Sequence, residues 1–414
     1  MGETEAANPR ARARILFVSE AVTLAHLARP LALAAALDPS RYEVTLAVAP
    51  YYDSLTRGLP FEVIPIRSVD PARFLAAIES GHPIYDVPTI EGYVSEDLAV
   101  IDRVRPDIVV GDCRMSLSVS ARLAKVPYLA ITNAYWSPHA RGVVPMPELP
   151  LSRALGVPLA SALFRFGLPI AFALHARPLN RVRRRHGLPS LGLDLRAGYT
   201  DGDVTLYADV PDLAPVSVLP PSHHYLGPVL WSPPGARPGW WGEIPDDRPA
   251  IYATLGSSGR PELLRATLDA LADLPVTVLA ATVGKPISGT FPPNVLSAPY
   301  LPGAEAAARS SLVLCNGGSP TTHQAIAAGA PVLGLAGNMD QHLNMRGIVA
   351  RGAGLLLRSE HARPASIRAA VDRMLGDPGF RVAAREVAAL FSGLDAPSRF
   401  RQILDGVIRS KRSG

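Results

Sequence analysis

The chain is predicted to be α/β, with two Rossmann-like, doubly wound domains facing each other across a cleft. Three observations carry that expectation. Short apolar runs alternate with helical segments along nearly the whole chain, the pattern of parallel sheets covered by helices. Between residues 219 and 249 the pattern is interrupted by a proline- and tryptophan-rich stretch, after which it restarts. The 414 residues, 48% apolar and 19% charged, suffice for two ordinary cores and argue against wholesale disorder.

Taken in order, residues Met1 to Arg10 lack an apolar stretch, so they are expected to fray and do not read as a secretory leader. Residues 14–19 and 43–49 read as parallel strands around a helix near 27–37; 108–111, 128–132 and 204–208 add later strands. The first domain is assigned residues 1–228. Residues 229–249, with Pro233, Pro234, Pro238, Pro245 and Trp231, Trp240, Trp241, form a semi-rigid linker. The second domain, 250–396, contains strands near 250–255, 276–281, 295–297, 312–315 and 332–335. Residues 397–414 are expected to be a helical tail that can pack back on the first domain.

Composition excludes several classes. Cys113 and Cys315 end apolar runs in different halves, which fits buried thiols in a reducing cytoplasm better than a disulfide. The net charge is only +5, and the densest basic run, Arg181-Val182-Arg183-Arg184-Arg185-His186, has no aromatic interleaving; a solvated helix is expected, with no nucleic acid as partner. The longest apolar region, 151–174, is broken by Arg153, Arg165 and Pro169 into runs too short to span about 30 Å of hydrocarbon, so no transmembrane helix is predicted. It reads as a greasy wall that holds a lipophilic ligand or rests on a membrane surface.

The most informative stretch runs from Asn316 to Gln341. An apolar run ending at Cys315 feeds Asn316-Gly317-Gly318-Ser319-Pro320-Thr321-Thr322-His323-Gln324, where Pro320 suits a helix start. A strand, a glycine turn and a helix N-terminus make an anion site, because unpaired N–H groups and the positive end of the dipole face the ligand. Asp340 and Gln341 follow the next strand, beyond its carboxyl end, where ligands bind in open parallel sheets. Gly256 and Ser257, after the second domain's first strand, would complete a diphosphate cradle on the same edge. Neither a GxGxxG after either first strand nor a Walker pattern is present.

In the first domain, His26 follows the first strand at a helix start, where an imidazole can act as general base. Asp112 ends the strand 108–111, and its carboxylate could fix the tautomer of His26 and stabilise the imidazolium.

These residues resemble those of the GT-B-fold, inverting, nucleotide-sugar-dependent glycosyltransferases of bacterial natural-product pathways. The resemblance covers nearly the whole chain: Ile15-Leu16-Phe17-Val18 leading to His26, Pro106 to Asp112, Tyr225-Leu226-Gly227-Pro228, and the motif from Asn316 to Gln341. It implies that Gly317, Gly318 and Thr321 help hold the diphosphate, with Ser319 among the donor-binding residues, that Asp340 and Gln341 bind sugar hydroxyls, that His26 and Asp112 form the base dyad, and that Tyr300 and Leu301 border the nucleobase. Asn316 stands where the family has a histidine, Gln324 where it has a ribose-gripping glutamate, and the spacing from His26 to Pro30 is one residue longer than usual. A neutral Gln324 grips ribose less, so a thymidine diphosphate donor is expected beside or instead of a uridine one.

The expected reaction is transfer of a hexose to a hydroxyl of a hydrophobic natural product such as a macrolide, polyketide or carotenoid-like alcohol, with Tyr135, Trp136, Phe164, Phe166 and Phe172 lining the acceptor pocket. No cofactor and no metal are expected; Asp201-Gly202-Asp203 reads as a polar turn. The partners are thus a nucleotide sugar and a small-molecule acceptor, with a homodimer as an option. Two rival classes share the architecture, a sugar-nucleotide 2-epimerase and a non-catalytic partner of a transferase.

Overall fold

The computed structural model describes residues 12–233 and 237–413. Residues Met1 to Arg10, expected to fray, and Pro234 of the linker lie outside the described residues. Two parallel sheets organise the chain. The first contains β1 (Ala13–Ser19), β2 (Tyr42–Val48), β3 (Glu62–Pro65), β4 (Ile108–Asp112), β5 (Tyr128–Thr132), β6 (Val204–Tyr207) and β7 (His223–Tyr225), in the order β3-β2-β1-β4-β5-β6-β7. The second contains β8 (Ala250–Thr254), β9 (Thr277–Ala281), β10 (Val295–Ala298), β11 (Leu312–Cys315), β12 (Val332–Ala336) and β13 (Gly354–Arg358), in the order β10-β9-β8-β11-β12-β13. The central strands are apolar on both faces and fully buried, because helices cover both sides.

In each sheet the strand order reverses once, between β1 and β4 and between β8 and β11. Loops leaving those neighbouring strands diverge to opposite faces and open a crevice at their carboxyl ends. The register pairs Ser19 with Asp112 and Thr254 with Cys315, so the loop leading to His26, Asp112, the Gly256 turn and the Asn316 turn all emerge at the two switch points.

Three features depart from the expected pattern. The edge strands β3, β7 and β13 are additional. The segment 219–249 is packed, for β7 belongs to the first sheet, Trp241 is buried, and the Trp240 indole N–H donates to the Ser297 carbonyl over 3.1 Å. The apolar region after residue 151 is not broken into short runs: after a short helix, Pro150–Leu155, one continuous helix covers Val157–Arg185. Pro169 removes one internal hydrogen bond and Arg165 points its charge to solvent, and neither ends the helix. By length and composition that helix could cross a membrane, though its buried residues pack on the first domain. The helix Ala396–Ser413 returns to the first sheet, where Phe400 and Leu404 join the core with Phe17, Leu27 and Leu31.

Candidate active site

The loop after β1 enters the helix Leu24–Ala35, which carries His26 and Arg29 on successive turns. His26 Nδ1 lies 2.8 Å from Asp112 Oδ1. Arg29 donates from Nε to Asp112 Oδ2 and from Nη2 to Oδ1, both over 2.7 Å, a fork on the carboxylate that leaves it no freedom to rotate. Its Nη1 donates to Asn133 Oδ1 over 2.6 Å, and Asn133 in turn donates to Asp209 Oδ1 over 3.0 Å. Asp209 reaches toward His323 Nε2, 3.8 Å away, on the helix Ser319–Ala327 of the other half. A buried polar chain therefore runs from the His26 imidazole to the helix of the glycine motif.

Burial works against a charged His26, but the adjacent Cys113 sulfur and the Asp112 carboxylate outweigh it and hold the imidazole pKa above its usual 6.5. Burial pushes the Asp209 carboxyl up to about 6 against its hydrogen bonds. It pushes His323 down to about 3, so that ring is neutral.

Across the cleft, Gly256 and Gly317 adopt φ of +62° and +84°. At Gly317 a side chain would also collide with Met345, its Cβ 2.8 Å from Cγ. Asn316 Nδ2 donates to Ser258 Oγ over 2.9 Å, binding the two turns together. The N–H of Gly318 donates to Asn316 Oδ1 over 3.1 Å and that of Gly317 to Cys315 Sγ over 3.3 Å. These two amides are engaged, contrary to their expected role on a diphosphate. The open donors are instead the first-turn N–H groups of Ser319 and Thr321, which follow an N-cap glycine with no side chain to satisfy them. Lys285, not anticipated, braces the other turn by donating to the Ser257 and Gly259 carbonyls over 2.8 and 2.6 Å.

The two halves meet at the site. Leu24 N–H donates to Ser257 Oγ over 3.0 Å, two residues before His26, and the Trp136 indole donates to Asp340 Oδ1 over 2.8 Å. One cavity of about 340 Å³ is lined by His26, Asp112, Gly256, Ser257, Tyr300, Leu301, Asn316, Gly318, Ser319, Thr321, Gln324, Asp340 and Gln341, and continues to Trp136, Phe164 and Phe172. The structure does not bring three expected residues to it. Gly317 lies behind the wall. Tyr135 is buried beside Tyr207 and Tyr225, since Ala134–Trp136 is a 3₁₀ turn whose successive side chains point about 120° apart. Phe166 points to solvent, two helical positions and about 200° from Phe164. Unpredicted Phe74, Tyr85 and Tyr199 take their place on the apolar wall.

Two expected sugar or ribose contacts are already engaged. The Gln341 Oε1 accepts from the Gly337 and Asn338 N–H groups over 2.9 and 3.2 Å, capping its own helix. The Gln324 amide donates to the Trp231 carbonyl and, over 3.2 Å, to Ser232 Oγ, tying the helix Ser319–Ala327 to the linker. The Asp201-Gly202-Asp203 carboxylates are structural: Asp201 pairs with Arg122 and Arg183, and Asp203 accepts from the Tyr128 N–H over 2.8 Å. Cys113 is half-buried and Cys315 buried, both free thiols.

With known proteins the chain shares sequence and fold. Residues 265–404 match the model of the "Erythromycin biosynthesis protein CIII-like, C-terminal domain". The chain is 55% identical over 380 residues to a PGL/p-HBAD biosynthesis glycosyltransferase of Mycobacterium tuberculosis (strain ATCC 25177 / H37Ra), covering 92% of this chain and 89% of the relative. It is 54% identical over 380 residues to a PGL/p-HBAD biosynthesis rhamnosyltransferase of Mycobacterium bovis (strain BCG / Pasteur 1173P2), covering 92% and 84%. In structure it is similar to the spinosyn rhamnosyltransferase SpnG complexed with thymidine diphosphate, with a TM-score of 0.69 at 21% identity, over 95% of this chain and all of that one.

Proposed function

Because the chain belongs to the GT-B-fold glycosyltransferase family that includes these PGL/p-HBAD biosynthesis enzymes, we propose that it moves a hexose from a nucleoside diphosphate to a hydroxyl of a hydrophobic acceptor, with inversion. The observation that carries this reading is the continuity of one cavity, in which the His26–Asp112 pair stands between an anion-binding helix start and an apolar aromatic wall.

His26 Nδ1 donates to Asp112, which leaves Nε2 as the base. It takes the acceptor's hydroxyl proton as the oxygen attacks the anomeric carbon, and the carbon–oxygen bond to the diphosphate breaks on the opposite face. The imidazolium so formed is stabilised by Asp112. Charge developing on the leaving diphosphate is met by the Ser319 and Thr321 N–H groups, the helix dipole and the Ser257 hydroxyl, a fixed array that needs no reorganisation. The reading requires neither a cofactor nor a metal ion. Asp340 keeps one carboxylate oxygen for the sugar.

A thymidine diphosphate donor, with a deoxyhexose such as rhamnose, fits best. Gln324 is spent on the linker and offers no charged acceptor to a ribose 2′-hydroxyl, and a relative 54% identical is named a rhamnosyltransferase. The test is an acceptor panel of hydrophobic alcohols and phenols with thymidine and uridine diphosphate sugars, read by mass spectrometry, with the anomeric configuration of product determined by NMR. Acceptor-dependent release of thymidine diphosphate with an inverted glycoside is expected. Retention of configuration, or donor conversion without acceptor, would overturn the proposal, the latter in favour of an epimerase.

A further inference from the structure

The helix Val157–Arg185 is apolar on two opposite sides. Its inward side gives Phe164, Leu168, Ala171 and Phe172 to the cavity. Its outward side presents Leu159, Leu163, Phe166 and Ile170, which are 53%, 46%, 84% and 66% exposed, with Leu174 extending the row and an exposed Leu155 ending the short helix before it. At about 100° per residue Leu159, Leu163, Phe166, Ile170 and Leu174 fall within roughly a quarter of the helix circumference. A row of this kind facing water is costly for an isolated soluble protein and marks a surface that something covers.

Charge identifies the cover. The same row continues for two more turns as Arg177, Arg181 and Arg184, all exposed and in no ion pair among the described residues. Residues 149–193 contain no Asp or Glu. Nothing on this face answers its own arginines, so a second copy would meet them with more arginine and no carboxylate. Anionic headgroups would answer them, with acyl chains beside the leucines. The helix cannot be surrounded by lipid, because Phe172, Ala176, Leu179 and Val182 are packed against the first domain. It can lie in the plane of an interface.

We propose that this face docks the protein on an anionic lipid bilayer, with the row from Leu159 to Leu174 in the interfacial region and Arg177, Arg181 and Arg184 on lipid phosphates. One helix diameter, about 10 Å, then separates the bilayer from the cavity. Resting on the functional reading above, this places a lipophilic acceptor's source beside its binding wall; the docking itself requires no sugar transfer.

The experiment is co-sedimentation of the full chain with vesicles of phosphatidylglycerol and phosphatidylcholine in equal parts, or of phosphatidylcholine alone, at low and at high salt. Binding to the anionic vesicles, weakened by salt, is expected. Leu159→Asp/Ile170→Asp should lower partitioning about tenfold or more, while transfer to a water-soluble acceptor and the thermal unfolding midpoint stay as in the parent. Arg177→Gln/Arg181→Gln/Arg184→Gln should lower it at least fivefold and flatten the salt dependence. Failure of the parent to bind either vesicle, or binding by both variants equal to the parent's, overturns the proposal. So does a dimer in sedimentation equilibrium that Leu159→Asp/Ile170→Asp converts to monomer without any vesicle binding. Absence of transfer in every protein with vesicle binding intact would count against the functional reading alone.

Discussion

The two strand-end turns that frame the cleft are built in different ways. The turn after β11 is local: Gly317 at φ +84°, Asn316 folding back on the Gly318 N–H and a helix start all lie within a few residues. The turn after β1 is positioned from afar. His26 depends on Asp112, Asp112 on Arg29, Arg29 on Asn133 and Asn133 on Asp209, five residues spread over much of the first domain. Backbone conformation makes an anion site cheaply, because N–H groups come with the chain. A general base needs its tautomer, orientation and charge held, and only side chains from several elements can do that.

Breaking the distant network should cost the most. His26→Ala is expected to lower kcat about 10²-fold or more with donor binding intact, by steady-state kinetics and calorimetry; unchanged kcat would remove the base from the mechanism. Next comes Asp112→Asn, with a loss of about tenfold or more and a shifted pH profile. The raised His26 pKa means that the neutral, proton-accepting form accumulates only as pH rises through it, so kcat/KM should climb with pH along a limb lying above 6.5. Removing the carboxylate lowers that pKa, and the limb should move to lower pH. A limb that stays in place would show that Asp112 does not govern the imidazole.

On the local side, Gly317→Ala must place a Cβ at positive φ and 2.8 Å from Met345 Cγ, which should destabilise the protein by about 1–3 kcal/mol in urea unfolding. The smallest effect is expected of Gln324→Glu. A carboxylate cannot donate to the Trp231 carbonyl, so the side chain would leave the linker and become available to ribose hydroxyls. The preference for uridine over thymidine diphosphate sugar, as a ratio of kcat/KM, should rise a few-fold; no change would mean that the ribose is read elsewhere.

The same contrast explains what could be read from the sequence. Parallel strands declare themselves as apolar runs, and the motif from Asn316 to Gln341 is contiguous, so both were legible. Arg29 was not, since an arginine beside Pro30 carries no mark of the carboxylate it will clasp 83 residues away. Residue type alone also could not say that Asn316 would consume the Gly318 N–H, or that Gln341 would cap its own helix. Phe164 and Phe166 look alike in sequence, yet two helical positions separate a cavity wall from solvent. The short edge strand β7, His223–Tyr225, sits among prolines and has too few residues to show alternation.

The return of Ala396–Ser413 to the first sheet has a consequence for biosynthesis. Phe400 and Leu404 belong to the same core as Phe17 and Leu27, and Arg399 donates to the Tyr225 carbonyl over 2.8 Å. On the ribosome, β7 emerges long before these residues are made, and at about 5–20 residues per second the wait is on the order of ten seconds or more. Through that interval the core of the first sheet lacks Phe400 and Leu404. The apolar surface beside Phe17 and Leu27 therefore waits for its cover from the helix Ala396–Ser413, made much later.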